Sequence, residues 1–563
     1  MINQPVKRRA VPTRPKSSSY SLKTIIVTNL ATLIVAVSVF FLTSIMFAQE
    51  SDMLVHGGES VMLECDGRRF NISRISRTET ELTCIALPGQ TPPVQPTELP
   101  VEPTAVPVEP TTIPIEPTAI PIEPTVIPVE PTEVPVIPPP APPEEPPVPP
   151  EQPPITGRAF YVSKLGNNSD GLSWESAWNE LNQVDWSKFQ PGDTLLIDGG
   201  AESMTYRTTL QPTASGTAAE PIRIQLAGEN GRNGQAIFFG GRSTPLPHCG
   251  QTSYSYNPNG LTTNGAKFEG VSWITIDGTK WRGIVIHGMN GDGIRLYSNT
   301  DNLTFRHMEI YDNGTVKQSG GGYYSDAKGI RLEGSNHTVE RTIIHDNGQD
   351  AIQSNGANVS NFTIRESWFY NGRQHPNIDQ SYNYCTHSDA LQIFDGGVVS
   401  GINIEDSVLG PGFTNTILLG DKNVDVNNVT INNVLILKSA ENSISAHSTA
   451  TTSVNNWNIS NVTVYGPNTA YNAITYKGRE LAITNSVFVG SHINIPNTSP
   501  AFGNNCQWDT TGIDIGVDTN PQFTSASPEA FTDGNYAVNE RACATSGSSI
   551  TSIDDLMALP DNQ

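Results

Sequence analysis

NLTFRHMEIYDNG (302–314), NHTVERTIIHDNG (336–348) and NFTIRESWFYNG (361–372) are three versions of one phrase. Four more follow: GINIEDSVLGPG (401–412), NVTINNVLILKS (428–439), NWNISNVTVYGP (456–467) and ELAITNSVFVGS (480–491). A shorter phrase precedes each of them: DGIRL (292–296), KGIRL (328–332), DAIQS (350–354), DALQI (389–393), NTILL (415–419), NSISA (442–446) and NAITY (472–476). Repetition at this spacing specifies a solenoid rather than a globule with one compact core.

The unit is too short for paired helices and has no helical period. It alternates apolar and polar residues over short runs rich in Val, Ile, Thr and Phe, the pattern of strands. Leu303, Phe305, Met308 and Ile310 are matched by Phe362, Ile364, Ser367 and Phe369, and again by Val429, Ile431, Val434 and Ile436. The step between matched positions changes from two to three in the middle, which places a corner between two short strands. Asn and Gly mark the ends, where left-handed backbone is tolerated. Three short strands and three turns make one coil of a parallel β-helix, an all-β fold whose inward residues stack from coil to coil.

On these residues the region resembles the right-handed parallel β-helix superfamily that includes pectate lyases. The likeness covers most of 158–545 and includes an entry segment, Ala159–Ser163 followed by GNNSDGLSWESAWNEL (166–181) and PGDTLLIDGG (191–200). That segment is similar to the N-terminal cap of many bacterial β-helix proteins. Ser173 is placed to cap a short amphipathic helix carrying Trp178, Leu181 and Val184. Such a helix, expected near Glu175–Phe189, would plug the open end of the solenoid. The fold by itself does not fix function, because it hosts lyases, hydrolases, epimerases, tailspikes and adhesins.

The rest of the chain suits an exported protein. Residues 1–23 form a basic tail with Lys7, Arg8, Arg9, Arg14, Lys16 and Lys23. Residues 24–48 carry no charge and are long enough to span a bilayer, which needs about 20 apolar residues. They are expected to be an uncleaved signal anchor, making a single-pass membrane protein with its C-terminal part outside; a cleaved signal peptide and secretion are the alternative. Six cysteines fit that compartment. Cys65 and Cys84 bracket a small disulfide-linked β module (51–90), Cys506 and Cys543 bracket the end of the β-helix, and Cys249 and Cys385 remain as a third pair. Residues 91–156 are a stalk, with VEPTAVP, VEPTTIP, IEPTAIP, IEPTVIP and VEPTEVP in succession from Val101 to Pro135. Two prolines per repeat exclude a helix and favour extended polyproline II. A C-terminal tail occupies 546–563. The net charge of −23 argues against a nucleic-acid partner. The expected form is a monomer whose partner is a polysaccharide.

Two long insertions fall at the same corner of the coil, TVKQSGGGYYSDA (315–327) and RQHPNIDQSYNYCTHS (373–388). They should wall a groove whose floor is the first strand of each coil. Alternation turns Arg295, Arg331, Gln353, Gln392, Leu418, Ser445 and Thr475 outward. Just before each strand stand Asp292, Lys328, Asp350, Asp389, Asn415, Asn442 and Asn472. Two explanations of that second column stay open. One is a ladder of Asp and Asn satisfying backbone donors at a recurring corner. The other is a site built from Asp326, Lys328, Arg331, Asp350, His387 and Asp389. The resemblance implies elimination from a uronate polymer, or its epimerisation, with a Lys or Arg base beside carboxylate-bound Ca²⁺. In that scheme Lys328 is the first base, Arg331 the charge stabiliser and His387 the competing base. Asp350, Asp389 and Asp326 would be the Ca²⁺ ligands. Arg295, Gln353, Gln392, Tyr323, Tyr324, Tyr382 and Tyr384 would contact sugar. His345, in an HDNG turn, is expected to be structural. The N-x-[ST] sequences at Asn302 and Asn361 are read as turns rather than glycosylation sites. A non-catalytic glycan-binding surface protein is the alternative function. A glycoside hydrolase ranks lower, because the polygalacturonase-like set of motifs is absent.

Overall fold

The computed structural model describes residues 61–65, 68–72 and 157–559, except 249–250, 256, 320–321, 357, 373–386, 396, 422–423, 438, 447–453, 467–471, 491, 497–499, 525–534, 540–542 and 544. The expected membrane segment (24–48) and stalk (91–156) lie outside the described residues. So do Cys84, the partner expected for Cys65, the pair Cys249 and Cys385, and Tyr382 and Tyr384. Among the described residues, no helix is long and apolar enough to cross a membrane. Near the N-terminus, Val61–Cys65 pairs antiparallel with Arg68–Ile72.

From Ala159 onward the chain coils as a parallel β-helix. One ten-stranded sheet takes a strand from each coil, in chain order from Ala266–Phe268 to Thr511–Gly512. A larger, 23-stranded parallel sheet takes the other strands of the coils. Like residues stack: Phe305 pairs with Val339, then come Ile364, Ile404, Ile431, Ile459 and Ile483 on successive coils. All are buried, and one apolar cluster runs from Phe160 to Ile515. Each large side chain buried in this way contributes about 1.5–3 kcal/mol.

The corner inferred from the change of step is present. His307, Arg341, Glu366, Asp406, Asn433, Asn461 and Asn485 all have φ between 45° and 57°. A second left-handed column holds Asn302, Asn336, Asn361, Asn428 and Asn456. Their amides link coils, as in Asn361 Nδ2 to Asn336 Oδ1 (2.8 Å) and Asn456 Nδ2 to Asn428 Oδ1 (2.7 Å). Asn302 and Asn361 therefore sit where the turn reading put them. The glycines of DGIRL and KGIRL answer to close packing. A Cβ on Gly293 would lie 2.7 Å from Gly329 O, and one on Gly329 would lie 2.6 Å from Ala351 O.

The expected cap helix does not form. Residues 175–189 contain two 3₁₀ turns, Leu181–Gln183 and Trp186–Lys188. The backbone is spent on the neighbouring strand instead: Trp178 N donates to Tyr161 O (3.1 Å) and Ser163 N to Trp178 O (2.8 Å). Ser173 Oγ does accept from Ser176 N (3.2 Å), but it caps only a turn. Asp185 starts the second 3₁₀ turn by accepting from Ser187 N. Trp178, Leu181, Val184, Trp186 and Phe189 are all buried, so the plug survives without the helix.

Two features lie on the outside of the larger sheet. Asp277, Arg306, Glu340, Arg365 and Glu405 occupy one column in register and alternate in sign. Arg306 Nε donates to Asp277 Oδ2 (2.8 Å), and Arg365 Nε donates to Glu340 Oε2 (2.6 Å). A second apolar cluster, including Ile343, Trp368, Val408 and Leu435, is covered by the C-terminal segment through Tyr536, Ile550 and Leu556. Cys506 and Cys543 are disulfide-bonded, with Cα atoms 5.7 Å apart.

Candidate functional site

The ten-stranded sheet forms the floor. Its outward column runs Lys267, Arg295, Arg331, Gln353, Gln392, Leu418, Ser445, Thr475 and Asn494. Alternation along the phrases gives this column from Arg295 to Thr475. Lys267 lies outside that pattern because its strand precedes the first repeat of the phrases. Tyr297 lies outside it as well; Lys267 Nζ and Arg295 Cζ lie 5.0 and 5.1 Å from its ring centre.

The first three rungs are cations on adjacent strands about 4.8 Å apart. Each has a local acid: Lys267 pairs with Glu269 (2.9 Å), Arg295 with Asp292 (3.2 Å), and Arg331 Nε approaches Glu333 at 3.7 Å. No acid is interposed between the rungs themselves. The Nε atoms of Arg295 and Arg331 are buried without a hydrogen-bond partner.

The column before these strands is a ladder in fact. Lys328 N donates to Asp292 Oδ1 (3.0 Å), and Asp389 N donates to Asp350 Oδ1 (2.7 Å). Asn415 donates to Asp389 Oδ1 from both its backbone and its amide nitrogen, each at 3.0 Å. Asn442 and Asn472 continue it at 2.7 and 2.8 Å. The structural explanation therefore accounts for Asp292 and the Asn residues. It does not use up the chemistry of Asp350, His387 and Asp389, which each bring one ligand atom within 4.8 Å of the others.

His387 Nδ1 pairs with Asp389 Oδ2 at 2.9 Å. Asp389 is wholly buried, whereas the His387 side chain is 39% exposed, so the imidazole is held from behind. The hydrogen bond to Asp389, working against burial, raises the His387 pKa to about 9. Burial, reinforced by the charge of Asp389, pushes the Asp350 carboxyl far above the usual carboxylate range. Gln353 Nε2 donates to Asp350 Oδ2 and to Gln392 Oε1.

The other residues singled out from the sequence fall around this group. Lys328 is buried, its Nζ donating to Gln349 Oε1 (2.7 Å) and Asp326 Oδ1 (3.1 Å). Asp326 also takes Lys317. Burial opposes its charged form, but the two lysines and the Ala327 amide outweigh that and hold it below the usual range. Asp326 is thus tied to Lys328 and Lys317 and stands apart from the Asp350–His387–Asp389 group. Gln353 and Gln392 are buried and support Asp350 instead of presenting amides to solvent. His345 is stacked between Tyr311 and Tyr370, at 5.0 and 4.6 Å, with Asp346 and Glu309 on its nitrogens, as befits a structural residue.

The first insertion is an antiparallel hairpin, Thr315–Ser319 with Gly322–Asp326. It carries Tyr323 and Tyr324. Tyr323 bridges to Gln251 and its ring meets Tyr254 at 5.8 Å. Residues 240–265 are thus a further long corner on the same side, and the wall is built from both. Long corners at 240–265, 312–329 and 371–388 alternate with short ones at 288–293, 346–351 and 410–414.

No protein-family model and no curated protein matches the chain. Solved structures do. A pectate lyase, Pel9A, is 15% identical over 72% of this chain and 90% of its own, with a TM-score of 0.39. A rhamnogalacturonan lyase is 11% identical over 71% and 97%, with a TM-score of 0.44. An alginate lyase from Paenibacillus sp. str. FPU-7 is 15% identical over 63% and 99%, with a TM-score of 0.35. By its own strand registers, the chain has a parallel β-helix fold.

Proposed function

We propose that this protein binds an anionic polysaccharide and cleaves it by β-elimination, with His387 as the base. The supporting observation is the run of three like charges in register, Lys267, Arg295 and Arg331, leading along the floor to an imidazole oriented by Asp389. Lone cations along a strand column are ordinary. Like charges stacked directly opposite one another are unfavourable; Glu269, Asp292 and Glu333 offset these from within each coil, and an anionic ligand laid across the three would offset them further. Carboxylates along a uronate chain meet that description.

In the reaction, neutral His387 Nε2 takes the proton on the carbon next to the sugar carboxylate. Charge builds on that carboxylate, and Arg331 and Arg295 stabilise it. The neighbouring C–O bond breaks as the C=C bond forms. The departing oxygen takes the proton from the imidazolium, which returns His387 to its starting state, and no water is consumed. Lys328 is the second choice of base, because Asp326 and Gln349 hold its amine in place.

Ca²⁺ takes six to eight oxygen ligands. Asp350, His387 and Asp389 offer a nitrogen and two fully buried carboxylates whose oxygens already accept hydrogen bonds. That set does not fit Ca²⁺, and no step is assigned to a metal. The same burial argues against a hydrolase, whose two carboxyls must reach either side of a glycosidic bond.

The basic 1–23 and uncharged 24–48 support export with the N-terminus retained at the membrane. Incubation with polygalacturonate and polymannuronate tests the reaction. Near-ultraviolet absorbance of unsaturated uronate should rise in step with new reducing ends. Reducing ends without that absorbance would replace elimination by hydrolysis. Retention of the polymer without either would leave the alternative, a glycan-binding surface protein.

A further inference from the structure

Three coils of the floor carry the same short unit, an acid followed three residues later by a long polar side chain: Asp292 with Arg295, Asp350 with Gln353, and Asp389 with Gln392. In the first two the unit closes on itself. Arg295 Nη1 donates to Asp292 Oδ2 (3.2 Å), and Gln353 Nε2 donates to Asp350 Oδ2 (2.5 Å). In both, Oδ1 accepts the backbone N–H of the next rung, from Lys328 and from Asp389. The third coil keeps only half of this pattern. Asp389 Oδ1 accepts the backbone N–H of Asn415, as the ladder requires, but Asp389 Oδ2 faces His387 Nδ1 at 2.9 Å. Gln392, the side chain placed to take that oxygen, is turned to the preceding coil, where its Oε1 accepts from Gln353 Nε2. Of the three pairs this is the one left open, and it is the one beside His387.

The cause lies one coil back. A side-chain amide has two N–H donors. Gln353 gives one to its own Asp350 and the other to Gln392. The register sets Gln353 and Gln392 directly opposite each other, so the bond between them is within easy reach. Without it, the Gln392 amide would have its own acid three residues away, in the arrangement that Asp350 and Gln353 display, and its N–H would compete with the imidazole for Asp389 Oδ2. We infer that Gln353 is a positioning residue: by holding Gln392 toward its own coil, it keeps Asp389 Oδ2 for His387. This rests on the reading of His387 as the base, and it adds a residue that acts on that base through two others.

The test compares Gln353→Met with the double variant Gln353→Met/Gln392→Met, each in the full chain. Both take the donor from Asp350 in the same way, so that loss cancels between them. Only the single variant leaves a released Gln392 amide to compete. The first readout is the low-field proton signal of an imidazole N–H held by a carboxylate, followed with isotope-labelled histidine and assigned by its loss in His387→Ala. It should weaken or vanish in the single variant and return in the double. The second is turnover of polyuronate: kcat should fall by about 10- to 100-fold in the single variant, with KM nearly unchanged, and recover in the double. A double variant no better than the single, or a single variant that keeps both signal and kcat, would overturn the inference and leave Gln353 a support for Asp350 alone. Gln353→Asn, one methylene shorter, makes the same comparison where the Met variant does not fold. The proton signal needs no turnover. Its loss and return in a chain that cleaves no polyuronate would support the role of Gln353 while removing the lyase assignment; cleavage with the signal unmoved would do the opposite.

Discussion

Two columns of charge run along this solenoid at the same spacing, and they are built in opposite ways. Asp277, Arg306, Glu340, Arg365 and Glu405 alternate in sign, so each side chain finds its partner on the next coil. Lys267, Arg295 and Arg331 repeat one sign, and each must borrow an acid from its own coil. Sequence drift under selection for stability alone favours the first pattern, because directly opposed like charges repel. The second is offset only locally, by Glu269, Asp292 and Glu333, and is the pattern an anionic ligand would complement. A charge column in a repeat protein is therefore informative by its sign sequence more than by its net charge.

The sharpest test lies at the end of the like-charged column. His387→Ala should lower turnover by about 10²–10⁴-fold, the usual contribution of a positioned acid–base group, while far-ultraviolet circular dichroism stays unchanged. Full activity in that variant would hand the base role to Lys328. Next, one charge can be removed from each column. Arg295→Gln removes the middle charge of the floor column while keeping a donor for Asp292; polyuronate affinity should fall by about 10-fold or more, with little change in melting temperature. Glu340→Ala does the same on the other column, leaving Arg306 and Arg365 short of a partner. It should destabilise by about 1–2 kcal/mol, discounted for the exposure of both arginines, without touching affinity. Equal stability losses in the two variants would erase the distinction between the columns.

A pH series refines the picture further. The folded pKa of His387 is raised to about 9, above the free value near 6.5. Its contribution to stability is complete below about pH 6.5 and is lost as pH rises through about 9. The raised Asp350 carboxyl acts in the same direction, since the folded state holds its proton longer than the unfolded chain does. Melting temperature should therefore decline on the alkaline side. Turnover should move the other way, because only the neutral imidazole is a base, and a rate that rises towards pH 9 is expected. A rate that falls over the same window would recast His387 as a proton donor. The smallest effect belongs to Tyr297→Ala, which removes a ring flanked by two cations: a loss of about twofold to fivefold in affinity, read by calorimetry.

Much of this was legible in the residues. The strand phrases carry the period, the change of step marks the corner that His307 and Arg341 occupy, and alternation names the floor column from Arg295 to Thr475. The cap helix was not, because Trp178 has an alternative to winding: bonding to the neighbouring strand at Tyr161 and Ser163. Lys267 and the 240–265 corner precede the first clear repeat, so nothing in the phrases aligned them. The burial of Gln353 and Gln392 was out of reach for a different reason. Alternation says which way a side chain points and nothing about what lies over it. The bond from the Lys328 amine to Gln349 was out of reach in the same way.

A stack of repeats held only by nearest neighbours can peel from its ends, one coil at a time. The C-terminal segment closes off that route here. Cys543 is bonded to Cys506, Ser548 N donates to Thr463 Oγ1 (2.9 Å), Ser548 Oγ to Asn433 Oδ1 (3.1 Å), and Arg341 Nη1 reaches Leu559 O (3.3 Å) across 218 residues of sequence. The last turns of the rod are thereby lashed to its middle. Pulling on the end loads coils from Arg341 to Cys506 together, so these coils resist peeling as one body.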